Sequence, residues 1–138
     1  MQRDLLFLGE MIDAAERASD MASGITVEAL QADRMRTESL LWNFTVLGEA
    51  ATKLSSQVKE RFPGIPWQLP TRLRNRIVHG YWSIDLDILH TTATEQLPAF
   101  AASLRQVLHT LTTEDQAPET ATPVDAGNAA DAPTDGTT

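Results

Sequence analysis

The 138-residue sequence contains no cysteine, which excludes a disulfide framework and any thiolate-ligated metal site and fits a reducing compartment. No apolar run approaches the length of a membrane span. The first residues, Met1-Gln2-Arg3-Asp4, place an acid early and lack the layout of a secretory leader. A cytoplasmic protein with no membrane association is therefore expected. No segment shows the alternation of a half-buried strand. From Thr112 onward there is no base at all against six acids, Glu114, Asp115, Glu119, Asp125, Asp131 and Asp135. Residues 1–111 then hold 13 acids against 11 bases, so the net charge of −8 and the low pI describe mainly the C-terminal stretch. Broad, non-specific coating of nucleic acid is disfavoured, because it draws on many phosphate contacts. A local basic site on RNA is not.

What is present reads as helix. Hydrophobic residues make up 42% of the chain, enough for one core. Leu5, Leu8, Ile12 and Ala15 form the stripe of a helix over about 2–22, which Gly24 breaks. Thr26 is placed to cap a short turn through Leu30. A long helix is expected over 32–62, with Leu40, Phe44, Leu47, Ala51, Leu54 and Val58 spaced alternately four and three apart along one seam. Phe62-Pro63-Gly64 ends it. Pro70 suits the first turn of the next helix, which runs to about His79 with Gly80 as its stop. Asp85 caps a last helix over 86–111, on which Leu89, Ala93, Leu97, Phe100, Leu104, Leu108 and Leu111 share a stripe. Pro98 falls inside that helix and kinks it. Residues 112–138, rich in Thr, Ala, Pro, Asp and Gly, bury too little apolar area to order and read as a disordered acidic tail. The expected architecture is an all-α antiparallel bundle of four to five helices over 1–111, followed by that tail.

The segment Thr71-Arg72-Leu73-Arg74-Asn75-Arg76-Ile77-Val78-His79-Gly80-Tyr81-Trp82 concentrates chemistry. It holds three of the eleven bases, one of three histidines and the single tyrosine. On a helix Leu73 and Ile77 face the core, Asn75 and His79 share a second face, and Arg72 and Arg76 a third. Cleaving an RNA phosphodiester needs a group near neutral pH to move the 2′-hydroxyl proton, which suits His79. It also needs a cation for the charge growing on phosphorus, which suits the planar fork of Arg74. Asn75 can orient either. Arg74 and His79 are five residues apart, about 140° around an ideal helix. Arg74 must reach around, the last turn must unwind, or a second subunit must complete the site, as a two-fold homodimer would.

Arg74, Asn75, His79 and Tyr81 resemble the Arg-x4-His-x-Tyr motif of HEPN-domain RNase toxins, in particular the HepT-like group. The resemblance extends to Gly48-Glu49-Ala50-Ala51 and to Ile65-Pro66-Trp67, in the same order, and covers roughly residues 1–111. A bare Arg-x4-His is common by chance; the ordered set is much more specific. Pro70-Thr71 departs from the residues usual before the motif helix, and the tail has no counterpart in the family pattern. The resemblance implies a homodimeric helical bundle with the site in a cleft between subunits. It implies a metal-independent endoribonuclease without cofactor, the toxin of a toxin–antitoxin pair. Its expected partners are RNA substrate and a minimal nucleotidyltransferase antitoxin that uses ATP to attach AMP to the motif tyrosine. Residue by residue, Arg74 and His79 become catalytic, Asn75 supports them, and Tyr81 is the modification target.

Plainer roles stand beside these. Arg74 can pair structurally with Glu49, and Tyr81 can pack with Trp82. Arg72 and Arg76 can be a solvated face as well as RNA-phosphate contacts. His90 and His109 lie outside the motif and read as surface or packing residues. The Glu-x-x-His spacing of carboxylate-bridged metal bundles is absent, so no metal ligands are assigned. The alternative function is a non-catalytic helical module that binds a nucleotide or a partner through the same basic helix, or a purely structural bundle dimer.

Overall fold

The computed structural model describes residues 2–116, and every described element is helical. The helices are α1 (Gln2–Ala22), α2 (Val27–Ala32), α3 (Arg34–Lys53), α4 (Ser56–Arg61), α5 (Gln68–Gly80), α6 (Leu86–Thr91) and α7 (Leu97–Gln116). A 3-10 turn, Tyr81–Ser83, follows α5, and a π-helical segment, Thr92–Gln96, joins α6 to α7. The expected all-α bundle is found. Four of the helices are long, and α2, α4 and α6 are short connectors. α1 packs against both α3 and α7, and α5 lies against α3. The core holds the expected stripes, including Leu8 and Ile12 of α1, Leu40, Phe44 and Leu47 of α3, and Leu97, Phe100 and Leu104 of α7. None of the described helices is long and apolar enough to cross a membrane.

Local chemistry sets the boundaries. Gly24 takes φ +73°, a left-handed conformation that a side chain disfavours, and so ends α1. The Thr26 hydroxyl accepts from Ala29 N–H at 3.1 Å and the Asp33 carboxylate from Arg36 N–H at 3.0 Å, each capping the helix that follows. Asp33 itself is extended, so α2 runs on to Ala32 and the long helix expected from about Ala32 begins at Arg34.

The expected long helix over 32–62 is also interrupted further on. Leu54 is extended and Ser55 caps α4, accepting from Val58 N–H at 3.3 Å. The cause is tertiary. The buried Asp4 carboxylate of α1 accepts from Ser55 N–H at 2.9 Å and from Ser55 Oγ at 2.8 Å. That pair of bonds replaces the intrahelical bond the Ser55 N–H would otherwise make. Leu54 and Val58 remain buried on either side of the break, so the apolar seam survives although the helix does not.

The proline in the last helix acts one turn upstream of its own position. Pro98 has no N–H to offer the Thr94 carbonyl. The expected kink takes the form of the π-helical segment, in which Leu97 N–H reaches back five residues to the Thr92 carbonyl. α7 then continues to Gln116, past the expected end at Leu111. Arg61 Nη1 donates to Glu114 at 2.7 Å and ties this last turn to α4. That hydrogen bond holds the Glu114 carboxyl below the usual carboxylate range. Residues 117–138, most of the expected acidic tail, lie outside the described residues.

The Asp4–Ser55 contact yields a direct test. Asp4→Ala leaves two part-buried Ser55 donors unmatched and should lower stability by about 1–3 kcal/mol. In urea the midpoint should fall with little change in slope. An unchanged midpoint would mean that the break at Leu54–Ser55 is encoded locally.

Candidate active site

α5 carries the motif and α3 positions it. Leu73 and Ile77, one helical turn apart, are buried and anchor α5 to the core. Each stabilises the docking by roughly 1.5–3 kcal/mol. The two helices approach closely at Gly48. A Cβ there would lie 2.2 Å from Arg74 Cβ and 2.7 Å from the Pro70 carbonyl oxygen, so no side chain fits. With α3 this near, the next residue, Glu49, reaches Arg74. Its Oε1 accepts from Arg74 Nε at 2.9 Å and from Nη2 at 2.7 Å. The third edge is held by Asn75, whose Oδ1 accepts from Arg74 Nη1 at 2.6 Å. The pairing with Glu49 foreseen for Arg74 is present, and Asn75 contacts the same guanidinium. A guanidinium has five N–H donors. Three are engaged here, which leaves one on each Nη without an acceptor among the described residues.

His79 sits elsewhere. It is exposed and lines a half-open cavity of about 430 Å³ between the end of α5 and α6, together with Arg76, Ile77, Ile84, Asp85 and Ile88. Arg74 does not line this cavity and shares no hydrogen bond with His79 among the described residues. The 140° offset of the sequence spacing is therefore carried into the structure. Arg72 and Arg76 also part company: both are exposed, but Arg72 borders a different groove, with Lys59 and Trp67. His90 has a packing role, its Nε2 lying 2.7 Å from the Ile25 carbonyl oxygen, and His109 is exposed on α7.

Tyr81 is 44% exposed and meets Trp82 edge to face, ring centroids 5.3 Å apart. It is therefore not core. The Arg34 guanidinium nearby is raised above its ordinary value by its hydrogen bond to Glu38 and by the charge of Glu38.

An apolar surface surrounds the motif that periodicity did not reveal. Trp82 is 96% and Trp42 67% exposed, and Met35 and Val78 are also open to solvent. Trp42 shares a shallow hollow with Phe7, Val46 and Glu49, the partner of Arg74. A signal for this face existed. Met35 and Trp42 are seven residues apart on the side of α3 away from Leu40 and Phe44.

Gly48→Ala should push α5 away from α3 and destabilise the fold by about 1–3 kcal/mol, despite the better helix propensity of alanine. Thermal unfolding checks this; a variant as stable as the parent would show that the helices are not held at this separation.

The family described as ribonuclease HepT-like matches residues 11–107, a span that includes Gly48, Glu49 and the whole of α5 with Tyr81. Among curated proteins, one named "Probable ribonuclease HepT" from Thermococcus cleftensis is 23% identical over 101 residues, 73% of this chain and 92% of its own. Proteins named as RNases from Methanocaldococcus jannaschii and from Caldanaerobacter subterraneus subsp. tengcongensis are each 21% identical. They cover 80% and 74% of this chain and 91% of their own lengths. No solved structure matches the chain significantly. With a family match over most of the bundle and its motif helix, the chain belongs to the HepT-like ribonuclease family.

Proposed function

We propose that this protein is a metal-independent endoribonuclease of the cytoplasm, the toxin of a toxin–antitoxin pair, acting as a homodimer. The observation that carries the proposal is the Arg74 guanidinium, fixed by Glu49 and Asn75 inside the family match with two donors still free. A cation held in this way is pre-organised for phosphate oxygens and loses little freedom when charge develops on them. In the proposed reaction a histidine takes the ribose 2′-hydroxyl proton and the 2′-oxygen attacks phosphorus. The 5′-oxygen then leaves with a proton, giving a 2′,3′-cyclic phosphate end. His79 is the group on α5 suited to move those protons. Arg72 and Arg76, both exposed, supply further cations for the flanking phosphates.

Arg74 and His79 do not converge within one chain, so the proposal assigns them to opposite protomers. The exposed apolar side chains Met35, Trp42, Val78 and Trp82 beside the motif support a second copy as the occupant of this face. A two-fold axis through it would present Arg74 of one protomer to the partner's His79.

Regulation follows from the same surface. A nucleotidyltransferase antitoxin is proposed to adenylylate Tyr81: the phenol oxygen attacks the α-phosphate of ATP, pyrophosphate departs, and the phenolic proton is lost. The partly exposed hydroxyl-bearing ring supports this. Negative charge and bulk two residues from His79 would exclude RNA phosphate. The non-catalytic module remains the second reading, favoured by the same separation of Arg74 from His79.

An RNA cleavage assay with chelator decides between them. Arg74→Ala and His79→Ala homodimers should each lose at least about a hundredfold in activity. After subunit exchange, an equal mixture should recover about a quarter of wild-type activity, because half the dimers are mixed and each carries one intact site of two. Activity that stays at the level of the single variants would argue against sites shared between protomers. Wild type that leaves every RNA intact would favour the binding module. Separately, incubation with the antitoxin and ATP should add AMP to Tyr81, seen by peptide mass spectrometry. Tyr81→Phe should stay unmodified, and modification of any other residue would count against the regulatory step.

A further inference from the structure

We propose that the cavity between α5 and α6 is a nucleobase subsite, which receives the base of the nucleotide next to the scissile phosphate. The inference rests on the nuclease reading for its substrate class, and it adds a site that the motif does not specify. His79 stands at the cavity's edge, so whatever enters lies beside the proposed proton-transfer group. Three isoleucines line it. Ile77 is buried in the core, Ile84 is half-buried, and Ile88 is 42% exposed. An open aliphatic side chain beside a hollow of about 430 Å³ offers a flat apolar ring somewhere to lie. Bases are recognised in this way in single-stranded RNA, with faces on apolar surface and edges on polar groups.

The polar groups select a base over a phosphate. Asp85 lines the cavity, and its carboxylate would repel an anion placed there. One of its oxygens caps α6, accepting from Asp87 N–H at 2.9 Å, while the other has no hydrogen-bond partner among the described residues. That oxygen is an acceptor left for an incoming donor. It suits the exocyclic amino group of cytosine or adenine and disfavours uracil, whose corresponding position is a carbonyl. Ser83 is committed to the Gly80 carbonyl at 3.1 Å and retains acceptor capacity alone. The phosphate has a separate seat. Arg76 lines the same hollow, is exposed, and has no carboxylate partner among the described residues. Base in the hollow and phosphate on Arg76 would lay the sugar between them, within reach of His79.

The test reads binding apart from cleavage. The full chain, labelled at isoleucine Cδ1 methyls, is titrated with the uncleavable deoxydinucleotides dApdA, dCpdC and dUpdU. Ile77, Ile84 and Ile88 should shift, whereas Ile12, Ile25 and Ile65, which do not line the cavity, should stay. The amino-bearing dinucleotides should bind roughly tenfold or more tightly than dUpdU. Ile88→Trp, which fills the cavity from its exposed edge, should abolish the shifts. Asp85→Asn keeps an equally good helix cap and should level the three affinities. Shifts that are absent, that fall on the other isoleucines, or that survive Ile88→Trp would overturn the subsite. An amino-base preference unchanged in Asp85→Asn would overturn the assigned recognition. If RNA is cut but the three methyls stay silent, the subsite fails and the nuclease stands. If they shift but no RNA is cut, the reverse holds.

Discussion

The contact between α3 and α5 at Gly48 is the constraint from which the motif's geometry follows. Because position 48 carries no side chain, α5 settles with Arg74 and the Pro70 carbonyl in the space a Cβ would need. Leu73 and Ile77 hold it there by burial. Only at this separation can Glu49 reach across to the guanidinium, and Asn75 completes the hold from the same helix. Both members of the Glu49–Arg74 pair are partly exposed, so the pair adds little to stability on its own. Its consequence is orientation: a long, rotatable side chain is fixed with two donors left unengaged among the described residues. Packing provides the approach, and electrostatics uses it.

Around that contact the chain repeatedly gives up helix continuity for position. Asp33, Ser55 and the segment before Pro98 each interrupt a stretch that periodicity alone would have kept helical. In every case a side chain or a changed backbone bond takes over the orphaned donors, so each interruption costs little. The buried Asp4 carboxylate is the clearest instance, since it serves Ser55 from another helix altogether. The short helices α2, α4 and α6 are what remains between such points. α6 and its cap Asp85 line, together with His79, the half-open cavity beside the motif.

The division of the motif between two surfaces is the feature that most shapes its chemistry. Arg74 belongs to the α3 side and His79 to the α6 side. Between and beside them lie Tyr81, Trp82, Val78 and Trp42, apolar rings and chains left open to solvent. A monomeric hydrolase would bring its proton carrier and its cation to one cleft. Here Arg74 and His79 lie on separate surfaces, with exposed apolar side chains nearby. Dimerisation and catalysis are therefore proposed as one event, with modification of Tyr81 able to affect both.

Much of this was legible in the residues themselves. The helical stripes, the caps at Thr26 and Asp85, and the stop at Gly80 depend on local spacing and local hydrogen bonds, which a linear sequence carries in full. So does the ordered set of Gly48-Glu49, Ile65-Pro66-Trp67 and the Arg74-to-Tyr81 motif, which placed the chain in its family. The break at Leu54–Ser55 was not legible, because its cause, Asp4, lies some fifty residues away and acts only once α1 has docked. The exposure of Trp42 and Trp82 was hidden because hydrophobicity reports what a side chain prefers and not which faces a neighbour covers. The sequence by itself determined helix content, family and the residues proposed to react. Tertiary structure alone decided that Glu49 and Asn75 hold Arg74, that His79 opens onto a separate hollow with Asp85, and which apolar faces stay bare. These depend on distances between segments remote along the chain, and those distances exist only after the core has packed.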